Sequence, residues 1–133
     1  MTNAGSDRTI RRLVGVYNAD GTPFGELKYF IGARFGRAHC ALCDITHGLV
    51  REKVEWRAGR DRLAVAFDTY HRDNQPDALR VTYDKPPIVA AETDSGFQVL
   101  IEADGLAECH GSVDQFLRAV NRAVERSALD WPA

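Results

Sequence analysis

The sequence contains no apolar run of roughly 18 residues, the length that a membrane-spanning helix requires. The segment from Met1 to Arg12 is polar and has no apolar stretch of the kind that a secretory signal peptide carries. We therefore expect a cytoplasmic protein that does not enter a membrane. In that reducing compartment, disulfides are rare, and a close pair of cysteines more often serves redox chemistry or metal binding.

An excess of positive charge is also missing. The chain has 17 Lys and Arg residues against 19 Asp and Glu residues, which gives a formal net charge of −2. Proteins that bind phosphate backbones or anionic lipid surfaces do so largely through a positive field. We therefore expect no nucleic-acid partner and no membrane partner, and the composition leaves the oligomeric state open.

Three common catalytic motifs do not occur in the sequence. There is no Gly-x-x-x-x-Gly-Lys-Ser/Thr loop for nucleoside triphosphates, no Gly-x-Gly-x-x-Gly turn for dinucleotides and no Gly-x-Ser-x-Gly elbow for a serine nucleophile. Their absence disfavours each of those enzyme classes. The sequence therefore predicts no cofactor, unless its cysteines bind a metal such as zinc.

The sequence does have enough apolar material for one core. Hydrophobic residues make up 44% of its 133 residues, which is sufficient for a single domain without a structural disulfide or metal. We predict one domain over residues 1–133, with an ordered core over about 10–127 and ragged termini.

Four short apolar runs predict strands, near residues 13–17, 63–67, 87–91 and 97–101. The last two runs are separated by Thr93-Asp94-Ser95-Gly96, which is typical of a hairpin turn. The polar stretch from Asp68 to Asp84 is predicted to be a loop.

Apolar residues at helical spacing predict the helices. Thr22-Pro23 is typical of a helix start, and the helix is expected to end near Gly36. Helical spacing resumes between 38 and 57, where Gly48 predicts either one helix or two short ones. The closing helix, over 113–125, follows a capping box at Ser112 and is expected to pack on the sheet through Phe116, Leu117 and Val120.

The only concentrated chemistry lies in His39-Cys40-Ala41-Leu42-Cys43, with His47 four residues further on. On a helix, residues three or four positions apart share a face, so these side chains can meet. Two thiols at this spacing form a disulfide through a mixed-disulfide intermediate, and a nearby imidazolium favours the thiolate. We therefore predict a thiol redox protein or thiol-based sensor in which Cys40, Cys43 and His39 are catalytic and Cys40 is the nucleophile.

The same atoms suit zinc or another soft metal. Cys40, Cys43 and His47 would supply three ligands, and Cys109, His110 or a water would supply the fourth. Cys109 and His110 are adjacent, which makes a poor second half-site. In this alternative the protein is a non-enzymatic metal-binding or partner-binding module with zinc bound. A third interpretation treats Cys40 and Cys43 as small buried hydrophobic residues.

The order of the predicted elements, with Pro86-Pro87 before the hairpin, resembles the thioredoxin-like fold. The resemblance covers about residues 13–126 and implies a three-layer α/β domain, β-α-α-β-β-β-α, with a four-stranded mixed sheet. It implies a cis peptide bond at Pro87, which would present its backbone to a substrate. It also implies protein thiols or a small thiol as partners and, if the protein is an enzyme, thiol-disulfide oxidoreductase chemistry.

The cysteine pair departs from the pattern of that family. Thioredoxin-like oxidoreductases place it directly after the first strand, where this sequence has Asn18-Ala19-Asp20-Gly21. Cys40 is expected at the opposite end of the sheet from Cys109, which disfavours a four-ligand metal site. Tyr17-Asn18-Ala19-Asp20 and the segment from Cys40 to Thr46 also resemble a small bacterial family, and that likeness implies no particular activity.

Overall fold

A computed structural model describes residues 8–18, 41–46 and 53–132 of the chain. The helix predicted from Thr22 to Gly36 lies outside the described residues. Within the described ranges, the longest apolar helix is too short and too polar to cross a membrane.

The described strands form one mixed sheet. Its order is β2-β1-β3-β4, with β1 parallel to β2 and antiparallel to β3, and with β3 antiparallel to β4. The predicted four-stranded mixed sheet of an α/β domain is therefore confirmed, including the pairing of the last two strands as a hairpin. The strands are β1 (Arg12–Val16), β2 (Phe67–Tyr70), β3 (Ile88–Thr93) and β4 (Gly96–Ile101).

Helices cover both faces of this sheet. They are α1 (Ala41–Thr46), α2 (Val54–Asp61), α3 (Asp77–Thr82), α4 (Ala103–Ala107) and α5 (Val113–Arg126). The stretch between 38 and 57 was predicted to hold one helix or two, and the structure places α1 and the start of α2 there. The predicted closing helix is confirmed as α5. Its predicted N-cap is confirmed as well, because the Ser112 hydroxyl accepts a hydrogen bond from the Gln115 N–H at 3.2 Å.

The larger apolar core lies between the sheet and helices α1, α2, α4 and α5. At its centre, the Trp56 ring meets the edges of Phe67 and Phe116, with ring centroids 4.9 and 5.6 Å away. Phe116 and Val120 of α5 are fully buried here, as predicted, whereas Leu117 is only partly buried against the same cluster, beside Gly59 of α2. The smaller core lies on the other face, where α3 contributes Leu79; its members are Val14, Val16, Leu79, Ile88 and Ala90.

The strand prediction near 63–67 is wrong for all but its last residue. β2 begins at Phe67 and runs through Asp68 to Tyr70, beside Leu13 to Val16 of β1. β2 is an edge strand with a single buried residue, Phe67. A continuous apolar run is a poor indicator of such a strand, because only one of its faces is buried and the residues on the other face are exposed to solvent.

Two helices were not predicted. α3 lies inside the stretch assigned to a loop and buries only Leu79, so it has no apolar periodicity to detect. Its one local signal is Pro76 followed by an acidic residue, Asp77, in the first turn. α4 is five residues long and buries only Leu106.

The two ends of the described chain meet. The Ile10 N–H donates to the Asp130 carbonyl at 2.9 Å, and the Asp130 N–H donates to the Arg8 carbonyl at 2.8 Å. Leu129 is buried beside them in the larger core. These contacts extend beyond the predicted core range of about 10–127 at both ends.

Candidate functional site

Helix α1 carries Cys43 and is fixed to the end of β1. Tyr17 directly follows β1, and its hydroxyl lies 3.0 Å from the hydroxyl of Thr46, the last residue of α1. Both side chains are buried. The Thr46 hydroxyl also donates to the Leu42 carbonyl at 3.3 Å, inside the helix. This end of β1 and this end of α1 therefore share a buried polar contact.

A glycine lets α1 approach the sheet closely. A Cβ atom on Gly15, in β1, would lie 3.0 Å from Leu42 Cδ2 and 3.0 Å from Phe67 Cε1. Leu42 and Ile45 of α1 are fully buried. Leu42 of α1 thus occupies the space beside β1 that a side chain at position 15 would fill, and the helix packs directly onto the strand.

Neither of the cysteines that the structure describes, Cys43 and Cys109, forms a disulfide. Cys43 is 8% exposed and belongs to the larger core. Cys40, His39 and His47 lie outside the described residues. The roles of those three residues, and the separation of Cys40 from Cys43, therefore remain predictions.

Pro87 lies at the same end of the sheet as Tyr17, where β1 finishes and β3 begins. Because β1 and β3 are antiparallel and Val16 pairs with Ile88, the end of β1 adjoins the residue that precedes β3. Pro87 is buried there, and the Pro86–Pro87 peptide bond is cis, as the resemblance implied.

His71, in a polar segment, was expected to be a solvated residue and not a ligand, and the structure places it at this end of the sheet too. Its ring is tilted against that of Tyr17, with centroids 5.5 Å apart. Tyr17 also donates its N–H to the Tyr70 carbonyl at 2.8 Å, which fixes the position of the next residue, His71. A histidine in a polar segment carries no signal for this contact, because the contact depends on the parallel register of β1 and β2.

Cys109 follows α4 and is 3% exposed. Its thiol donates to the Gly105 carbonyl, with 3.5 Å between sulfur and oxygen. Burial raises the pKa of the Cys109 thiol above its ordinary value, and the charge of Glu108 acts in the same direction while Arg122 opposes it. In the neutral range this thiol is therefore protonated and a weak nucleophile.

Cys40, which was expected at the opposite end of the sheet from Cys109, lies outside the described residues, but Cys43 on the following helix does not show such a separation. Helix α1 packs against α4, the helix directly before Cys109, and also against α5. Cys43 and Cys109 belong to the same apolar core. Among the residues that the structure describes, however, no three His, Cys, Asp or Glu side chains are grouped closely enough to hold a metal ion.

Comparison with known proteins finds no family model, no curated protein and no solved structure that matches this chain. The candidate site is therefore defined by its own geometry. Cys43 lies on a helix that is anchored at the end of β1, and Tyr17, His71 and Pro87 lie at that same end of the sheet.

Proposed function

We propose that the protein is a thiol redox protein or thiol-based sensor, in which Cys40 is the attacking thiol and Cys43 the resolving thiol. The observation that carries this proposal is the burial of Cys43 on a helix whose end is tied to β1. An attacking thiol must meet its substrate, whereas a resolving thiol acts only on the sulfur of its neighbour. A buried second cysteine three residues after the first suits that division of roles.

The position of α1 offsets the main departure from the thioredoxin-like pattern, which is that the cysteine pair comes later in the chain. In that family the dithiol lies at the carboxyl end of the first strand. Here the pair comes later in the chain, but the contact between Tyr17 and Thr46 holds α1 at the corresponding end of β1. The parallel β1–β2 pair, the β3–β4 hairpin and the closing helix α5 also support a thioredoxin-like fold.

The proposed reaction is thiol-disulfide exchange with a protein disulfide or a small disulfide. The Cys40 thiolate attacks one sulfur of the substrate, forms a mixed disulfide and releases the other sulfur as a thiolate. Cys43 then loses its proton and attacks the Cys40 sulfur, which forms the Cys40–Cys43 disulfide and releases the second substrate thiolate. The substrate gains two electrons, and its thiolates take up the two protons that the cysteines give up. His39, as an imidazolium, would stabilise the Cys40 thiolate.

The test counts thiols before and after oxidation with glutathione disulfide. The denatured, oxidised wild-type protein should show one free thiol of its three, and peptide mapping should join Cys40 to Cys43. Cys109→Ser is the matched control, because it should still lose both of its remaining thiols. Cys43→Ser should form no internal disulfide. Three free thiols after oxidation, or a disulfide that includes Cys109, would contradict the proposal.

A second candidate is a zinc site formed by Cys40, Cys43, His47 and Cys109. The packing of α1 against α4 favours it, because Cys43 and Cys109 lie in one core and not at opposite ends of the sheet. Untagged protein would then retain about one equivalent of zinc. Cys109→Ser would lower the zinc content in this case, whereas the redox proposal predicts that wild type and variant are equally free of metal.

A further inference from the structure

A polar groove of about 420 Å³ lies between the edge strand β4 and helix α5. Its lining comes from the end of β4, from α4 and the two residues that follow it, and from one stripe of α5 that includes Ala119. The small side chain of Ala119 leaves the middle of that stripe open. A volume of this size is within the range of pockets that hold small molecules.

Two arginines give the α5 wall its charge. Arg122 and Arg126 are one helical turn apart, so they project from the same face of the helix and line the groove together. In the described part of the chain, neither guanidinium is engaged in an ion pair or a side-chain hydrogen bond. Their donors are therefore available to a ligand, and carboxylates match the fork of N–H groups that a guanidinium presents.

Two acidic residues from outside α5, Glu102 and Glu108, also line the groove. The Glu102 carboxylate already accepts a hydrogen bond from the Tyr83 hydroxyl. Glu108 makes no side-chain hydrogen bond or ion pair within the described residues. The groove thus carries charges of both signs, and a compact dianion such as phosphate would meet repulsion from the two carboxylates.

We propose that this groove binds an amino-acid-like zwitterion, with carboxylate on Arg122 and Arg126 and ammonium on Glu108. The proposal does not depend on the thiol function, because Cys40 and Cys43 take no part in it. Cys109 lines the same groove and provides a chemical reporter of occupancy. A ligand held between β4 and α5 would cover the path to its sulfur and slow alkylation.

The test uses L-glutamate, glutarate and inorganic phosphate as probes of the full chain, each followed by amide chemical shifts and by calorimetry. L-glutamate should bind saturably, with shifts confined to residues 99–109 and 115–126, and should bind more tightly than glutarate or phosphate. At an alkaline pH, where the Cys109 thiol ionises, it should also slow the reaction of Cys109 with iodoacetamide. Arg122→Gln should weaken glutamate binding by roughly tenfold, which is the size expected for loss of one charge-assisted contact.

Two further variants make the outcome decisive. Arg118→Gln removes an exposed arginine of α5 that does not line the groove, and it should leave glutamate affinity unchanged. Glu108→Gln should weaken the binding of glutamate but not that of glutarate, since only glutamate carries an ammonium group. Binding weaker than about 10 mM for all three probes, tighter binding of phosphate, or an equal loss in Arg118→Gln would overturn the proposal.

Discussion

The hydroxyl groups of Tyr17 and Thr46 lie 3.0 Å apart, with both side chains buried. Tyr17 follows β1, one of the two inner strands, and Thr46 ends the helix that carries Cys43. The Lys53 N–H donates to the Thr46 carbonyl at 2.8 Å, so the start of α2 is tied to the same residue. Thr46 therefore connects β1, α1 and α2, and it fixes the position of α1, and with it Cys43, relative to the sheet.

We expect Tyr17→Phe to loosen this connection. Losing one buried hydrogen bond should lower the free energy of unfolding by about 1 kcal/mol. Because α1 would lose part of its hold on β1, Cys43 should react faster with iodoacetamide in the native protein. Urea denaturation and mass spectrometry of the alkylated peptides measure the two effects.

Tyr83→Phe is the matched comparison for that experiment. The Tyr83 hydroxyl also donates a hydrogen bond, to Glu102, but both groups are exposed, and Tyr83 packs against the smaller core, on the other face of the sheet from α1. Its removal should leave the reactivity of Cys43 at the wild-type rate. If both variants changed Cys43 reactivity alike, the contact between Tyr17 and Thr46 would not be what positions α1.

Gly15→Ala should move α1 away from β1. The new Cβ would lie 3.0 Å from Leu42 and from Phe67, so their side chains must shift, at a cost of about 1–3 kcal/mol. Leu42→Ala alone should cost about 2–5 kcal/mol, because it leaves a cavity in the core. The double variant should lose less than the sum, since shortening the Leu42 side chain makes room for the methyl group added at position 15. Strict additivity in urea denaturation would show that Gly15 does not control this approach.

The sequence predicted those elements whose side chains face one core along their whole length. The strand predicted near 13–17 and the helix predicted over 113–125 differ by a residue from β1 and α5. Leu13, Val14 and Val16 are fully buried, and α5 buries residues at regular helical spacing. Burial that follows the period of the element is what a hydrophobic pattern detects.

Elements held by a single buried side chain escaped prediction. Phe67 in β2, Leu79 in α3 and Leu106 in α4 each anchor a short segment without any repeating pattern. The candidate site was predictable only in part for a related reason. The pairing of Cys40 with Cys43 is a matter of local spacing, whereas the contacts of Tyr17 with Thr46 and His71 depend on tertiary packing.

Cys109 should make the protein less stable in alkali. Burial raises the pKa of its thiol in the folded state, so the unfolded state loses this proton at a lower pH than the native state does. The stabilising contribution is complete below the unfolded pKa, about 8.5, and is lost as the pH rises toward the folded pKa. Between pH 8 and pH 10 (about the range where thiols titrate), stability should therefore fall more steeply in wild type than in Cys109→Ala. The free energy of unfolding is measured by urea denaturation at each pH. An equal fall with pH in the two proteins would contradict this account.

Arg12 should be the most important charged residue for the sheet. Its guanidinium donates to Glu92 in β3 at 2.6 Å, and to Asp68 and the Tyr70 hydroxyl in β2 at 2.9 and 2.8 Å. Burial alone would lower the pKa of Arg12, but the hydrogen bonds to these three side chains raise it overall, so the group stays charged. It therefore joins the two strands that flank β1.

Arg12→Met should cost about 2–3 kcal/mol in urea denaturation. The variant leaves Asp68 and Glu92 without the cation between them, and the Arg12 side chain is only 23% exposed, so water replaces it poorly. Arg11→Met is the matched control: Arg11 pairs with Asp94, but its side chain is 61% exposed, and such surface pairs contribute about 0.5 kcal/mol or less. Added salt should weaken the small effect at Arg11 and leave most of the effect at Arg12, because screening acts mainly on exposed pairs. Equal losses in the two variants would mean that the pairing of Arg12 across β2 and β3 contributes nothing beyond an ordinary surface charge.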